Sequence, residues 1–498
     1  MPAPFDKGAF FKGGFHMNKK ELYEYIDENK GIFEELSDKI WGFAEISLKE
    51  HESAKAYKSL LEELGFKVET GLAGVETAFS GTYGSGRPII GILGEFDALS
   101  GLSQKAGLTV HDELVSGGSG HGCGHNLLGA GSLSAAYAVK KYLEEKGEGS
   151  GTVIFYGCPG EEGGAGKAFM AKQDLFYNLD AALTWHPDDS NQVTSGSYLA
   201  CVQVEYKFEG VAAHAAGCPH MGRSALDAVE LMNIGVQFLR EHMPISDRIH
   251  YSITDAGGIS PNVVQPTAQV LYMVRSDTVA KVKNLLARVE DIAKGAALMT
   301  GTTLKRRFID GTADVVPNSV LEKAMYKNFS ETELPEYTEE ELAFAEELKK
   351  TYLTEGLPGF ASNFSPEIAA YTAEKTNNGE KAQNDFLMPL YHSEVTLPGS
   401  TDVGDVSWQT PTAQINTATW TSGIPGHSWQ VVSMGKSTIA KKGMNLAAKV
   451  IAATAVDLFE NPELLSAAKA EFLEKTKSGF VSPSEDGAVP AIAGEKIL

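Results

Sequence analysis

The chain of 498 residues carries 43 Lys and Arg against 65 Asp and Glu, a formal net charge of −22, with 43% hydrophobic and 22% charged residues. Such a surplus of negative charge argues against a broad nucleic-acid footprint or binding to anionic lipid, and no apolar run reaches the roughly 18 residues that cross a bilayer. The length suits two to three domains, each with its own core.

Residues 1–16 are rich in Gly and Phe and lack the apolar stretch of an export signal. Met17 reads as a second start, so 1–16 is set apart as an appended or disordered leader. Residues 19–64 hold two amphipathic helical stretches, the second closed by Gly65. Alternating strand and helix signals follow. A buried strand at 88–93 delivers Glu95 and Asp97, and a helix covers 127–143. A second strand at 152–156 runs into Gly157-Cys158-Pro159-Gly160-Glu161-Glu162, a helix covers 165–176, and a third strand at 181–185 ends at His186-Pro187. Strands without polar alternation, separated by helices, predict an α/β catalytic domain with a mostly parallel sheet flanked by helices.

The pattern then changes. Strands at 202–208, 248–253 and 269–274 alternate with period two, which leaves one face of each wet. With a strand at 303–308 and helices at 223–243 and 279–298 they give the order β-α-β-β-α-β, that of the ferredoxin-like unit. Residues 199–311 therefore read as a domain inserted between two parts of the first, 17–198 and 312–498. Beyond it come helices at 319–329 and 339–352, a polar stretch of about 45 residues, Gly-rich loops at 399–405 and 423–428, and one long helical region from 438 to 475. Four scattered cysteines, Cys123, Cys158, Cys201 and Cys218, read as reduced thiols of a cytoplasmic protein.

The chemically rare residues gather where predicted strands end, the edge at which open α/β sheets bind ligands. In His121-Gly122-Cys123-Gly124-His125, glycines on both sides of a thiol let the backbone turn tightly and bring sulfur and imidazole together. A metal site, a plain Gly-rich turn and a nucleophilic thiol are all compatible with it. Adjacent side chains on a turn point to different sides, so Glu161-Glu162 suits one carboxylate to bind a metal and the other to move a proton. A solvated pair capping the next helix fits those two residues as well. For His186 and His427, taken singly, a hydrogen-bonded core histidine is the commoner outcome. Counting favours the metal: Cys123, His125, Glu162, His186 and His427 are one donor too many for a single four-coordinate catalytic ion with its water, and enough for two ions sharing a donor. In the inserted segment His214 lies among small residues and Asn262 in a turn. Arg275 ends an apolar strand, where it either forks onto a ligand carboxylate or pairs with Asp277 or another acid. Arg275 follows Asn262 by 13 positions, which leaves room for both to face one cleft.

Taken in order, GEFDAL, HGCGHN, GCPGEEGG, TWHP, GVAAHAA, GGISPN, GSTDVGDVSW and GHSW resemble the amidohydrolase branch of the M20 metallopeptidases, over residues 19 to 475. The resemblance implies two divalent ions per subunit, zinc or manganese, and a ferredoxin-like lid that dimerises with an identical or a homologous subunit. It implies Cys123, His125, Glu162, His186 and His427 as ligands, Glu161 as general base, and Asp97 as the carboxylate that orients a ligand. His214 matches a lid histidine that reaches the neighbouring subunit's site to stabilise an oxyanion. Asn262 and Arg275 match positions that hold the scissile carbonyl and the substrate carboxylate. The reaction implied is hydrolysis of the amide of an N-acyl or N-aroyl amino acid, a small molecule of the p-aminobenzoyl-glutamate type being favoured. An N-acyl-amino-acid hydrolase or dipeptidase of the same family, and a non-catalytic metal-loaded partner subunit, are the alternatives. Three positions depart from the branch: Asn126 where Asp is common, Ser100 where Pro is common, and Glu95 where many relatives carry Asp. Asn126, without charge, is expected to leave the surroundings of the ligands less basic.

Overall fold

The computed structural model describes residues 17–354, 356–363, 365–495 and 497; the leader expected over 1–16 lies outside them. Asn18 caps α1 (Lys19–Phe43) through a reciprocal pair of bonds with Glu21, and the helix buries Leu22, Ile26, Phe33, Leu36 and Ile40 along one stripe. α2 (His51–Glu63) ends just before Gly65, whose φ of +79° redirects the chain into β1 (Lys67–Thr70). Then come β2 (Phe79–Ser85), β3 (Ile89–Glu95), α3 (His125–Lys146), β4 (Gly151–Cys158), α4 (Gly166–Lys172) and β5 (Ala181–Asp188). The helix expected over 165–176 is thus shorter, because the chain leaves α-helical backbone at Gln173 and turns through Asp174 at a φ of +60°. Two short strands, β6 (Gln192–Thr194) and β7 (Ser197–Tyr198), lead out of the sheet.

The inserted segment holds β8 (Ala200–Glu209), α5 (Ala225–Leu239), β9 (Arg248–Asp255), β10 (Thr267–Ser276), α6 (Val279–Thr300) and β11 (Thr303–Thr312). They form a four-stranded antiparallel sheet of order β11-β8-β10-β9, with β9 at an open edge. The chain then returns through α7 (Ser319–Glu331), α8 (Glu339–Lys349), α9 (Pro366–Lys375), β12 (Thr396–Leu397), α10 (Val403–Ser407), β13 (Thr412–Ala418) and α11 (Trp429–Met434). The long helical region expected over 438–475 is two helices, α12 (Thr438–Glu460) and α13 (Pro462–Lys475). Pro462 cannot continue a helix but suits its first position, and the Asn461 side chain caps the new start by accepting from Glu463 N and Leu464 N.

The large sheet has the order β1-β2-β4-β3-β5-β13-β6. Its centre, β4-β3-β5-β13, is parallel, while β1, β2 and β6 run antiparallel to their neighbours, so the sheet is mixed rather than mostly parallel. Helix α3 is buried on nearly every side, packed among the sheet, α1 and α12 around Leu127, Leu133, Val139 and Ile451. Full burial of such a side chain contributes about 1.5–3 kcal/mol. Among the described residues no helix is long and apolar enough to cross a membrane.

After α13 the chain crosses to the second sheet. Lys283 and Arg306 bind Ser482 O and the Glu485 carboxylate, while Arg307 donates to Ile492 O and Glu495 O and Lys207 to Ile497 O. Consecutive strand residues point to opposite faces, so the segment between Glu485 and Ile492 passes round the β11 edge. That is why β8, expected to have a wet face, is buried almost throughout. Its Glu205 is fully enclosed, accepting from Arg307, Gln269 and the Gly494 amide.

Candidate metal centre

The parallel strands β3, β4 and β5 end on one side of the large sheet, and each ends in a functional group: Glu95 as the last residue of β3 and Asp97 just after it, Glu161 and Glu162 after β4, and His186 near the end of β5. Gly160 turns the β4 exit at a φ of +69°, and its amide donates to the buried Glu50 Oε1 at 2.9 Å. Burial and the nearby Asp97 push the Glu50 carboxyl up to about 8. The HGCGH loop approaches the same side from the start of α3. Gly124 takes a φ of +75°, and a Cβ there would stand 2.9 Å from Pro187 Cβ, so glycine is required both for the turn and for the close approach to His186-Pro187. His427 arrives on a separate loop in left-handed backbone, and its amide donates to Gly122 O at 3.0 Å, which joins the two loops.

These loops bring the five expected donors together in two groups that share a sulfur. Cys123, His125 and His186 form one and Cys123, Glu162 and His427 the other; within each, the donor atoms all lie within 4.8 Å of one another. Cys123 Sγ is 3.4 Å from His186 Nε2, and Glu162 Oε1 is 3.4 Å from His427 Nε2. Asp97 Oδ1 lies 2.9 Å from His125 Nδ1 and favours a hydrogen there, which turns Nε2 to the centre; burial alone would lower this imidazole, but Cys123 and Asp97 raise it well above its ordinary value. Pro187 O likewise favours a hydrogen on His186 Nδ1, at 2.7 Å. Asp97 also accepts from Ser47 Oγ (2.7 Å) and the Glu162 amide (2.9 Å). Burial alone would raise its carboxyl, but these bonds and the imidazole bring it down to about 2.

The remaining acids tilt the other way. Glu161 is pushed well up by burial and by repulsion from Glu95, Glu162 and Asp402. Glu162 is raised by burial, partly offset by His125, and the Cys123 thiol is raised well up by burial and by Glu162. Two donor atoms, His125 Nε2 and Glu162 Oε1, are buried and make no well-formed hydrogen bond, meeting only Glu95 at 3.3 Å and His427 at 3.4 Å. Leaving such an atom unpaired costs about 1–3 kcal/mol, a cost a cation removes. A thiol, three imidazoles and a carboxylate are the donor types zinc and its neighbours take, so the residues fit a pair of divalent ions.

The other expected residues stand apart. His214 is exposed on a segment that pairs with the Asn262 loop: the Ala215 amide donates to Asn262 O and Val264 N to Ala213 O. His214 Nδ1 accepts from the Ala216 and Gly217 amides at 3.2 and 3.0 Å, so its Nε2 carries a hydrogen to donate. Asn262 precedes β10 and Arg275 lies near its far end, eight strand residues or about 26 Å along, so the two do not face one cleft within a subunit. Arg275 donates to Ser400 Oγ at 3.2 Å and forms no ion pair among the described residues, while Asp277 pairs instead with Lys281 at 2.7 Å. Asn126 points away from the centre, donating to Ser37 Oγ and Gly435 O, so its lack of charge leaves the ligands' surroundings untouched. His121 is also turned away, onto Ile40 O at 3.0 Å, and burial pushes it down to about 4. Unforeseen is a fully buried Lys167, 2.8 Å from Glu95 and 2.6 Å from Asp402. A cavity of about 190 Å³ lies beside Glu162, between Ile46, Leu99 and Ser100 and the second sheet's Gln203 and Asp310.

Comparison with known proteins sets this geometry in context. Residues 91–374 match the model of peptidase family M20/M25/M40. The chain is 44% identical to a subunit of the p-aminobenzoyl-glutamate hydrolase of Escherichia coli (strain K12), over 92% of this chain and 96% of the relative. It is 27% identical to Xaa-Arg dipeptidase of Mus musculus, over 94% of this chain and 95% of the other. A solved dinuclear metal binding peptidase of the M20 family from Bacillus subtilis shares the fold with a TM-score of 0.51 at 17% identity, covering 89% of this chain and 99% of that one.

Proposed function

The chain belongs to peptidase family M20/M25/M40 as a metal-dependent hydrolase of C–N bonds, and from that premise we propose its substrate class, the roles of its residues and its assembly. The substrate is an N-acyl or N-aroyl amino acid of the p-aminobenzoyl-glutamate type. The observation that carries this reading is the pair of donor groups sharing Cys123, in a chain so similar over nearly its full length to a subunit of p-aminobenzoyl-glutamate hydrolase.

Cys123, His125, Glu162, His186 and His427 would hold two divalent ions, zinc or manganese. Such ions polarise a carbonyl and acidify water. Glu161 takes the proton of the attacking water and returns it to the leaving nitrogen. Asp97 keeps His125 in the tautomer that leaves Nε2 for a ligand. Arg275, half-buried beside Ser400, takes the substrate carboxylate in its fork. His214 and Asn262, at the opposite end of β10, serve the site of a second subunit, where His214 donates to the oxyanion and Asn262 to the scissile carbonyl. Residues 199–311 then form a ferredoxin-like lid and dimerisation domain, and 17–198 with 312–498 the catalytic domain. The partner, a second copy or a homologous chain, docks along β9, where Tyr251, Ile253 and the neighbouring α5 residues Ile234 and Phe238 are exposed. Four unpaired cysteines accord with a reducing, cytoplasmic setting.

Elemental analysis of the purified full chain tests the reading together with a chelation assay. Two ions per chain are expected, with hydrolysis of p-aminobenzoyl-glutamate lost on chelation and restored by zinc or manganese. Activity indifferent to chelation would end the metal assignment; hydrolysis confined to dipeptides would move the substrate class.

A further inference from the structure

The two connections that enter and leave the inserted segment, at 197–199 and 313–316, are both held by one short segment, residues 396–408. At the entry, Ser197 and Tyr198 pair with Thr396 and Leu397, and the Leu199 amide donates to Gly399 O at 2.9 Å. At the return, Ala313 N donates to Asp405 Oδ2 (2.9 Å), Val316 N to Ser407 Oγ (2.8 Å) and Trp408 Nε1 to Asp314 O (2.9 Å). The grip is close: a Cβ on Gly404 would stand 2.0 Å from Ala313 O.

In the middle of this segment Asp402 occupies the N-cap of α10 yet makes no capping bond. Its carboxylate turns inward instead, to Lys167 Nζ at 2.6 Å and the Lys167 amide at 2.9 Å. Lys167 holds Glu95 Oε1 at 2.8 Å, and the other Glu95 oxygen lies 3.3 Å from His125 Nε2. All three charged groups are buried, one ammonium between two carboxylates. Breaking a buried pair leaves an uncompensated charge, so the trio acts as a unit, and Glu95 divides its charge between Lys167 and any positive charge beside His125. We propose that Asp402 and Lys167 are positioning residues which, through Glu95, couple occupation of the metal centre to the grip on the hinge between catalytic and lid segments. The inference rests on His125 being a ligand.

Hydrogen exchange read by mass spectrometry on the full chain, with and without zinc chloride, tests it alongside zinc affinity from chelator competition. In the wild-type chain zinc is expected to slow exchange at the Leu199, Ala313 and Val316 amides about fivefold or more. In Asp402→Asn that zinc-dependent slowing disappears and zinc affinity falls about tenfold. Glu95→Gln breaks the link from its other end and gives the same pattern, which keeps the test available should Asp402→Asn not fold. Ser407→Ala, a purely structural loosening, speeds exchange at Val316 equally with and without zinc. Zinc-dependent slowing that survives both Asp402→Asn and Glu95→Gln, or is missing from a wild-type chain that binds zinc, overturns the inference and leaves the ligand assignment standing. A wild-type chain that takes up no zinc removes both.

Discussion

Glu161 and Glu162 are neighbours in the chain with different surroundings: the Glu162 amide is pinned by Asp97 and its carboxylate meets His427, while Glu161 faces Glu95 and His125. Glu161→Ala is therefore expected to retain both metals by elemental analysis and to lose at least roughly a hundredfold in kcat, the range of general acid–base catalysis. Near-normal turnover would remove it as the base. Burial pushes Glu161, Glu162 and the Cys123 thiol up, so protons compete with metal for these groups. Metal loading is then accompanied by proton release, and affinity strengthens as pH rises. Calorimetry in buffers of different ionisation enthalpy measures this, and loading without proton release would contradict it. At this scale the donors were legible because thiol, imidazole and carboxylate are rare and gather at strand ends. Lys167 was not, since a lone lysine in a helix is ordinarily a surface group. Asn126 was misjudged because a helix turns by about 100° per residue, so the neighbour of His125 looks elsewhere.

Among the elements, the start of α3 bears the tightest backbone demand. Gly124→Ala is expected to destabilise the fold by more than about 1 kcal/mol, since alanine at positive φ is strained and its Cβ would meet Pro187. A lowered Tm with weakened zinc retention checks this; an unchanged Tm would show that the loop relaxes freely. Strands β3, β4 and β5 could be read as continuous apolar runs, since both their faces are covered. β2 (FSGTYGS) and β13 (TAQINTA) could not, because Gly, Ser, Ala, Gln and Asn carry little strand preference, and only pairing with β4 and β5 makes them strands. The break at Asn461-Pro462 did have a local signature, a capping residue followed by a proline.

For the molecule as a whole, the β-α-β-β-α-β order of the inserted segment followed from alternation, but the burial of the second face of β8 did not. That burial comes from residues 482–495 and 497, far along the chain and without strand or helix signals. The proposed dimer predicts that Ile253→Lys on β9 shifts sedimentation from dimer to monomer and lowers turnover while metal content stays unchanged. A dimer that persists would place the interface elsewhere.

The passage of the C-terminal segment round β11 bears on how far such association can go. With that border of the small sheet fenced off by Glu485 and Ile492, β9 is the margin left able to accept another strand. In the proposed dimer, two copies joined margin to margin use up each other's vacancy, which favours a closed pair over a ribbon or fibre.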